Sequence, residues 1–134
     1  MNAKKVYLGG QWNEHDHSWK HAFSHIDGFE FYDPEVDSNQ ASPNTFFPDD
    51  LNAVKNAQIM IANPGLAPSE ATWIEIGFFY ATHVERVGET CENLIIVWQE
   101  GRLPKWSITF VEKAGHVVKT AAEAKEVLLT LGQV

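Results

Sequence analysis

The chain has 134 residues, a length that suits one domain built around a single hydrophobic core. Hydrophobic residues make up 44% of it and charged residues 21%, the ordinary composition of a soluble globular protein. A formal net charge of −8 argues against a nucleic-acid polymer as partner, because no basic patch could easily dominate the surface. The single cysteine, Cys91, excludes an intramolecular disulfide and a thiolate metal cluster.

The first residues lead directly into a strand-like segment, without a signal-peptide core and without an apolar run of about 18 residues or more. We therefore expect a cytoplasmic enzyme or binding protein with no membrane partner. No repeat, low-complexity tract or linker divides the chain, so one domain is expected over residues 1–134.

Strand-like and helix-like segments alternate along the chain. The first half is predicted to contain a strand at Lys5–Gly9, a short helix at Ser18–His25, a strand at Phe29–Tyr32, a polar loop at Pro34–Phe47 and a helix at Pro48–Asn56. The second half is predicted to contain a strand at Gln58–Ala62, a loop at Asn63–Pro68, a helix from Ser69 to Val84, strands at Leu94–Trp98 and His116–Lys119, and a helix from the capping box at Thr120 to Leu131.

This alternation predicts a flavodoxin- or Rossmann-like α/β fold with about five mostly parallel strands and helices on both faces. Ligands in such folds bind beyond the carboxyl ends of the strands. That rule gathers a set of candidate residues at one edge of the sheet, namely Gly9, Gly10, Trp12, Asp33, Asn63 and the start of the helix that carries Glu75.

Glu75 is the most informative residue of the chain, because it lies in the otherwise apolar run Trp73–Ala81. A carboxylate is rarely buried without a partner. Gly77 follows two residues later, where a helix interior penalises glycine by about 1 kcal/mol relative to alanine. Such breaks of local preference tend to mark functional sites, so Glu75 is a candidate nucleophile or general acid/base. The alternative is a carboxylate that reaches solvent or caps a neighbouring group.

Asp50, in the first turn of the preceding predicted helix, is a second candidate carboxylate. Its alternative role is a favourable interaction with the helix dipole. Trp12 is interpreted either as a stacking wall for a ring or as part of the core. No dinucleotide-binding glycine motif and no P-loop occurs, and nothing near Cys91 is expected to lower the pKa of its thiol.

His17, His21 and His25 are spaced so that they share one helix face. Two such histidines can bind a metal ion, but a zinc site needs convergent ligands and a supporting shell of hydrogen bonds. A solvated helix face is the favoured interpretation, and neither a metal ion nor a cofactor is predicted.

Three segments, in their order and spacing, resemble the nucleoside 2-deoxyribosyltransferase family. Val6–Trp12 is similar to the family's first strand and glycine turn, and the resemblance continues through Asp50–Met60. It is strongest at Glu75–Ala81, which resembles the family's Glu-x-Gly-x-x-x-Ala nucleophile helix. The resemblance implies that a glutamate attacks the anomeric carbon of a 2-deoxyribosyl group and expels the nucleobase. The covalent sugar then passes to another base or to water.

Matched by position, the resemblance implies Glu75 as the nucleophile, Asp50 as a helper carboxylate and Tyr7 as the hydroxyl that orients Glu75. It also implies that the nucleoside pocket is lined by Gly9, Gly10 and Trp12, and that Gly77 permits close approach of a neighbouring backbone. Ser69 falls near the position of the family's base-contacting acid, and Glu70 comes one residue later.

The resemblance further implies a homo-oligomer with shared sites. Pro104–Ile108 stands where the family tends to supply an asparagine from a neighbouring subunit's late loop. Trp106 and Phe110 lie in a late segment that a small sheet is not expected to cover, and large exposed apolar patches usually mark interfaces.

The expected partners are thus a small-molecule nucleoside and a nucleobase. Two other interpretations stay open, namely a hydrolase of the N-glycosidic bond of nucleosides or nucleotides and a non-catalytic protein that binds a nucleoside-like ligand. The polar residues after the first strand include Gln11, Asn13 and Glu14, which disfavours recognition of a 5′-phosphate there.

Overall fold

The structure, a computed structural model, describes residues 3–10, 18–23, 26–38, 41–64, 70–98 and 105–132. Its five strands form one parallel sheet in the order β2-β1-β3-β4-β5. The strands are β1 (Lys4–Gly10), β2 (Phe29–Tyr32), β3 (Ile59–Asn63), β4 (Cys91–Val97) and β5 (Ala114–Val118). The predicted α/β class with a parallel sheet is confirmed, and the strand order is that of flavodoxin-like proteins.

Helices cover both faces of the sheet, as predicted. They are α1 (Pro34–Asp37), α2 (Pro43–Asn56), α3 (Glu70–His83), α4 (Lys105–Lys113) and α5 (Ala121–Gly132), with a 3₁₀ helix at Ser18–Phe23. One apolar cluster packs α2, α3 and α4 against the sheet around the fully buried Tyr7 and Phe79. A second packs the 3₁₀ helix and α5 against the opposite face around Ile61 and Leu128. Among the described residues, no helix has the length and apolar character needed to cross a membrane.

The polar loop predicted at Pro34–Phe47 is wrong over most of its length, because α1 and the start of α2 occupy it. Helix α2 begins earlier than predicted because Ser42 caps it. The Ser42 N–H donates to Thr45 Oγ1 at 3.2 Å, and Pro43 supplies a first helical residue whose fixed φ suits the turn.

Asp50 consequently lies in the middle of α2, and its interpretation as a first-turn carboxylate is wrong. The start of α2 was predicted at Pro48 because proline is common at the first position of a helix. Here it stands inside α2, where it removes one backbone donor.

Helix α4 was not predicted, and the expectation of a loop at Pro104–Ile108 is wrong from Lys105 onward. Its Phe110 ring packs on α3, since a Cβ added to Gly77 would lie 3.3 Å from Phe110 Cζ. Gly77 thus leaves room for a side chain of α4, and the close approach of a neighbouring backbone that the resemblance implied is wrong. Phe110 is covered within its own chain by this contact, and the side chain of Trp106 lies outside the described part of the structure.

Several predicted boundaries differ by a few residues. Strand β3 ends at Asn63 and includes that residue, β4 begins at Cys91, and β5 begins at Ala114. Thr120 caps α5, since the N–H of Glu123 donates to Thr120 Oγ1 at 3.1 Å, and the Thr120 hydroxyl donates to Glu123 Oε1 at 3.2 Å.

His83 ties the end of α3 to the end of α2. Its Nε2 lies 2.7 Å from the Ala57 carbonyl oxygen, and its ring stacks on Phe79 with centroids 3.8 Å apart. We expect His83→Phe to lower the free energy of unfolding by about 1–2 kcal/mol, because the ring stays but the Ala57 carbonyl loses its partner. Urea denaturation measures this, with the exposed His21→Phe as a matched control. Equal stability of the two variants would contradict the expectation.

Candidate functional site

Strands β1 and β3 end side by side at the centre of the sheet, where Gly10 pairs with Asn63 in register. The strand order reverses between them, since β2 lies beyond β1 and β4 lies beyond β3. Open parallel sheets bind ligands in the crevice at such a switch point. Helix α3 brings Glu75 to this place, because a Cβ added to Gly9 would lie 3.6 Å from Glu75 Oε1.

The two oxygens of the Glu75 carboxyl group have different surroundings. Oε2 accepts a hydrogen bond from the hydroxyl of Tyr7, a fully buried residue of β1. Oε1 lies beside Gly9, which follows Tyr7 on the same face of the strand, and Met60 Cε would lie 2.9 Å from a Cβ added to that glycine. Tyr7 therefore fixes the direction of the carboxyl group, with Oε1 beside Gly9 and the methyl group of Met60 close by.

Burial raises the pKa of Glu75 to about 7. The hydrogen bond from Tyr7 and the charge of Lys20 oppose this effect, whereas the negative charge of Asp50 adds to it. Glu75 therefore changes its charge near neutral pH, the property expected of a carboxyl group that takes part in chemistry.

Asp50 reaches the same region from α2, and its charge acts on both Glu75 and Tyr7. Burial raises the pKa of Asp50 to about 6, although hydrogen bonding with Ser38 opposes the increase. Within the described part of the chain, Asp50 Oδ1 is buried and has no hydrogen-bond partner. Because a buried acceptor without a partner costs free energy, this oxygen is suited to accept a hydrogen bond from a ligand.

Tyr32 is a neighbour that the sequence did not reveal. Its ring stacks on Tyr7 with centroids 5.6 Å apart, because the two residues are paired across β1 and β2. Burial raises the pKa of Tyr32 to about 12, so the hydroxyl stays neutral. To find this pair from the sequence, one would have had to predict which residues of β1 and β2 lie side by side.

Asp33, predicted to bind substrate, lies directly after β2 and forms an ion pair with Lys20. Lys20 Nζ is 2.6 Å from Asp33 Oδ1, and the Lys20 side chain is only 8% exposed. Lys20 was missed because the segment around it was interpreted through its histidines.

The remaining predicted site residues are placed less closely to Glu75. Asn63 is buried at the end of β3. The space left by Gly10 is filled by Trp19, whose Cε2 would lie 3.0 Å from an added Cβ. Trp12 and Ser69 lie outside the described residues, as does the side chain of Glu70, which begins α3.

Neither a metal centre nor a thiol nucleophile is formed in the described part of the chain. No three His, Cys, Asp or Glu side chains there are placed to hold a metal ion. His21 is exposed, whereas His17 and His25 lie outside the described residues. Cys91 is buried, and burial raises the pKa of its thiol to about 11, so the thiol is protonated at neutral pH.

A cleft of about 510 Å³ lies between β2 and α2. Lys5, Glu30 and Asn56 line it. Tyr32, whose ring stacks on Tyr7, also lines the cleft. We place the candidate site at Glu75 and not in this cleft, because the buried carboxyl groups with raised pKa values lie at the switch point.

Neither the comparison with protein-family models nor the search among curated proteins finds a match to this chain. The fold alone accommodates many activities, so function depends on the chemistry of the side chains at the site. The site combines a buried carboxyl group oriented by a tyrosine with a second carboxyl group that has an oxygen without a hydrogen-bond partner in the described part of the chain.

Proposed function

We propose that this protein is an enzyme that transfers the 2-deoxyribosyl group of a 2′-deoxynucleoside to another nucleobase. The observation that carries the proposal is the position of Glu75, with Oε2 held by Tyr7 and Oε1 beside Gly9 at the switch point. A carboxylate held in this way is suited to attack an anomeric carbon and form a covalent glycosyl-enzyme. The resemblance of residues 75–81 to the deoxyribosyltransferase nucleophile helix supports the same role.

In the first step, Oε1 of Glu75 bonds to the anomeric carbon while the bond from that carbon to the base nitrogen breaks. The base leaves with the electron pair of the broken bond and takes up a proton from water. In the second step, a nitrogen of another base attacks the same carbon, gives up its proton to water and releases the Glu75 carboxylate. Two successive displacements retain the configuration at the anomeric carbon, and neither step requires a metal ion or a cofactor.

Asp50 acts on the positive charge that develops on the sugar in both transition states. Its pKa of about 6 keeps it largely ionised at pH 7 and above. An ionised carboxylate beside an oxocarbenium-like sugar stabilises the transition state more than the neutral substrate, which is the condition for raising kcat.

We also propose a cytoplasmic homo-oligomer, as the resemblance implies. Two exposed apolar side chains are consistent with this proposal, since Ile74 of α3 is 54% exposed and Ile108 of α4 is 45% exposed.

Chromatography of a reaction that contains a 2′-deoxynucleoside and a second free base tests the proposed activity. A new nucleoside supports transfer. Release of the first base alone would reassign the protein as a hydrolase, with water as the acceptor of the glycosyl-enzyme. An unchanged mixture, together with calorimetric binding of the nucleoside, would reassign it as a binding protein.

Ribonucleosides are expected to react more slowly than 2′-deoxyribonucleosides, by up to about 100-fold, because the pocket must accommodate an added hydroxyl. The hydroxyl also withdraws electron density and raises the cost of positive charge at the anomeric carbon. The measurement is kcat/KM for adenosine and deoxyadenosine, a pair with the same leaving base. Equal values would show that the site does not distinguish the sugars.

A further inference from the structure

A second cavity, of about 310 Å³, lies between α3, α4 and the turn that follows α3. Residues of all three elements line it, among them Gly77, Ala81, Val87, Phe110 and Lys113. No residue of the candidate site is among the described residues that line this cavity. The proposed function therefore makes no use of it, and its chemistry can be considered separately.

The turn that forms one wall of this cavity is held in place by α3. The hydroxyl of Tyr80 donates a hydrogen bond to the Glu89 carbonyl oxygen at 2.6 Å and accepts one from the Gly88 N–H at 2.9 Å. The Glu89 N–H closes the turn on the Arg86 carbonyl oxygen at 3.1 Å, and Gly88 has a φ of +107°, which glycine adopts without strain. The wall that carries Val87 is thus already formed, so a ligand need not order it on binding.

The walls of the cavity are apolar and include two aromatic rings. Gly77 and Ala81 are four residues apart on α3, so they share one helix face and leave space beside it. The Phe110 ring meets the Tyr80 ring edge to face, with centroids 5.9 Å apart. Val87 is 81% exposed, and a ligand in the cavity would remove its apolar surface from water. Pockets for small molecules begin at about 300 Å³, whereas a partner helix is about 10–12 Å wide, so the volume suits a small molecule.

Lys113, at the end of α4, gives the cavity its charge. Among the described lining residues it is the only charged one, and no acidic side chain in the described ranges forms an ion pair with it. Thr109 lies four residues earlier and also lines the cavity, so its hydroxyl is on the same helix face. An ammonium group and a hydroxyl at the edge of apolar walls are donors that a carboxylate can accept from.

We propose that this cavity is a binding site for a small hydrophobic carboxylate, a molecule with one ring or a branched chain and one negative charge. The apolar part of the ligand packs against Phe110, Tyr80 and Val87, and its carboxylate pairs with Lys113. The site is independent of the proposed transfer of a deoxyribosyl group, because binding requires neither Glu75 nor a nucleoside.

The first test is an NMR titration of the protein, without any nucleoside, with 3-phenylpropanoate and with the uncharged 3-phenylpropan-1-ol. For a ligand of this size we expect a Kd of about 0.1–1 mM for the acid. The alcohol should bind about fivefold more weakly, the upper range for an ion pair at a surface. Lys113→Met should weaken the acid by the same factor and leave the alcohol unchanged, whereas Lys55→Met, an equal change of charge on the exposed side of α2, should affect neither. Equal binding of acid and alcohol to the wild type, or no binding of the acid, overturns the proposal.

A second variant locates the site. Ala81→Phe fills the cavity from an exposed position of α3 and should abolish binding of 3-phenylpropanoate, whereas Ala122→Phe, at an exposed position of α5, should not. If Ala81→Phe does not fold, Val87→Asp places a negative charge on the rim and should have the same effect. Unchanged binding to the folded variant overturns the proposal. A wild type that does not bind the acid but dissociates into monomers on Ala81→Phe, by light scattering, would assign the cavity to a contact between copies of this chain. Binding of the acid without turnover of any nucleoside supports this site and rejects the proposed function.

Discussion

Glu75→Gln is expected to lower kcat by a factor of about 10⁴ or more while the protein remains folded. The amide has nearly the shape of the carboxyl group, and its oxygen can still accept the hydrogen bond from Tyr7. It lacks the negative charge needed to form a bond to the anomeric carbon. Steady-state kinetics with a deoxynucleoside measure the loss, and circular dichroism checks the fold. Undiminished turnover would exclude Glu75 as the nucleophile.

The same substitution is expected to stabilise the protein at alkaline pH. The pKa of Glu75 is about 7 in the folded protein against an ordinary value of 4.5, so the folded state retains a proton that the unfolded state releases in this range. The stability that the protonated group contributes is therefore lost as the pH rises from about 4.5 to about 7. Glutamine does not undergo this loss, and its advantage at about pH 8 is on the order of 3 kcal/mol.

Urea denaturation at about pH 4 and about pH 8 measures this difference, which should be small at the lower pH. The exposed Glu126→Gln on α5 is a control that should change stability little at either pH. If Glu75→Gln were less stable than the wild type at the higher pH, the Glu75 carboxylate would stabilise the fold. That result would contradict its assignment as a functional group whose ionisation costs stability.

Asp50→Asn is expected to lower kcat by about 100-fold with a smaller effect on KM, because the amide cannot stabilise the positive charge of the transition state equally well. It also removes the repulsion that Asp50 exerts on Glu75, so the acid side of the pH profile should move downward. Stopped-flow or steady-state kinetics across pH separate the two effects.

The neighbouring Asp49→Asn is the matched control for this substitution, since Asp49 is exposed on the same helix. It should change kcat several-fold at most. A change in KM alone, with kcat retained in Asp50→Asn, would assign Asp50 to binding that is equal in the ground state and the transition state.

The strands could be predicted from sequence because each is a short apolar run bounded by polar or glycine residues. Helix α4 was not predicted, since it is only nine residues long. The start of α2 was misplaced because Pro48 imitates a first helical residue that Pro43 actually provides.

The candidate site was predictable where a single residue departs from its surroundings or matches a motif. Glu75 stands out in an apolar helix, and Tyr7 and Gly9 follow from the resemblance of the first strand. Tyr32 and Lys20 have no such local signal, because one depends on the register of β1 and β2 and the other on a long-range ion pair.

The contact between Gly77 and Phe110 couples two sequence positions that are far apart in the chain. A methyl group at position 77 would lie 3.3 Å from Phe110 Cζ, so the ring would have to move by a few tenths of an ångström. A side chain larger than a methyl group at position 77 would therefore require a smaller residue at position 110 or a shift of α4. In related sequences the two positions are expected to covary, with glycine opposite the aromatic ring and larger residues opposite aliphatic ones.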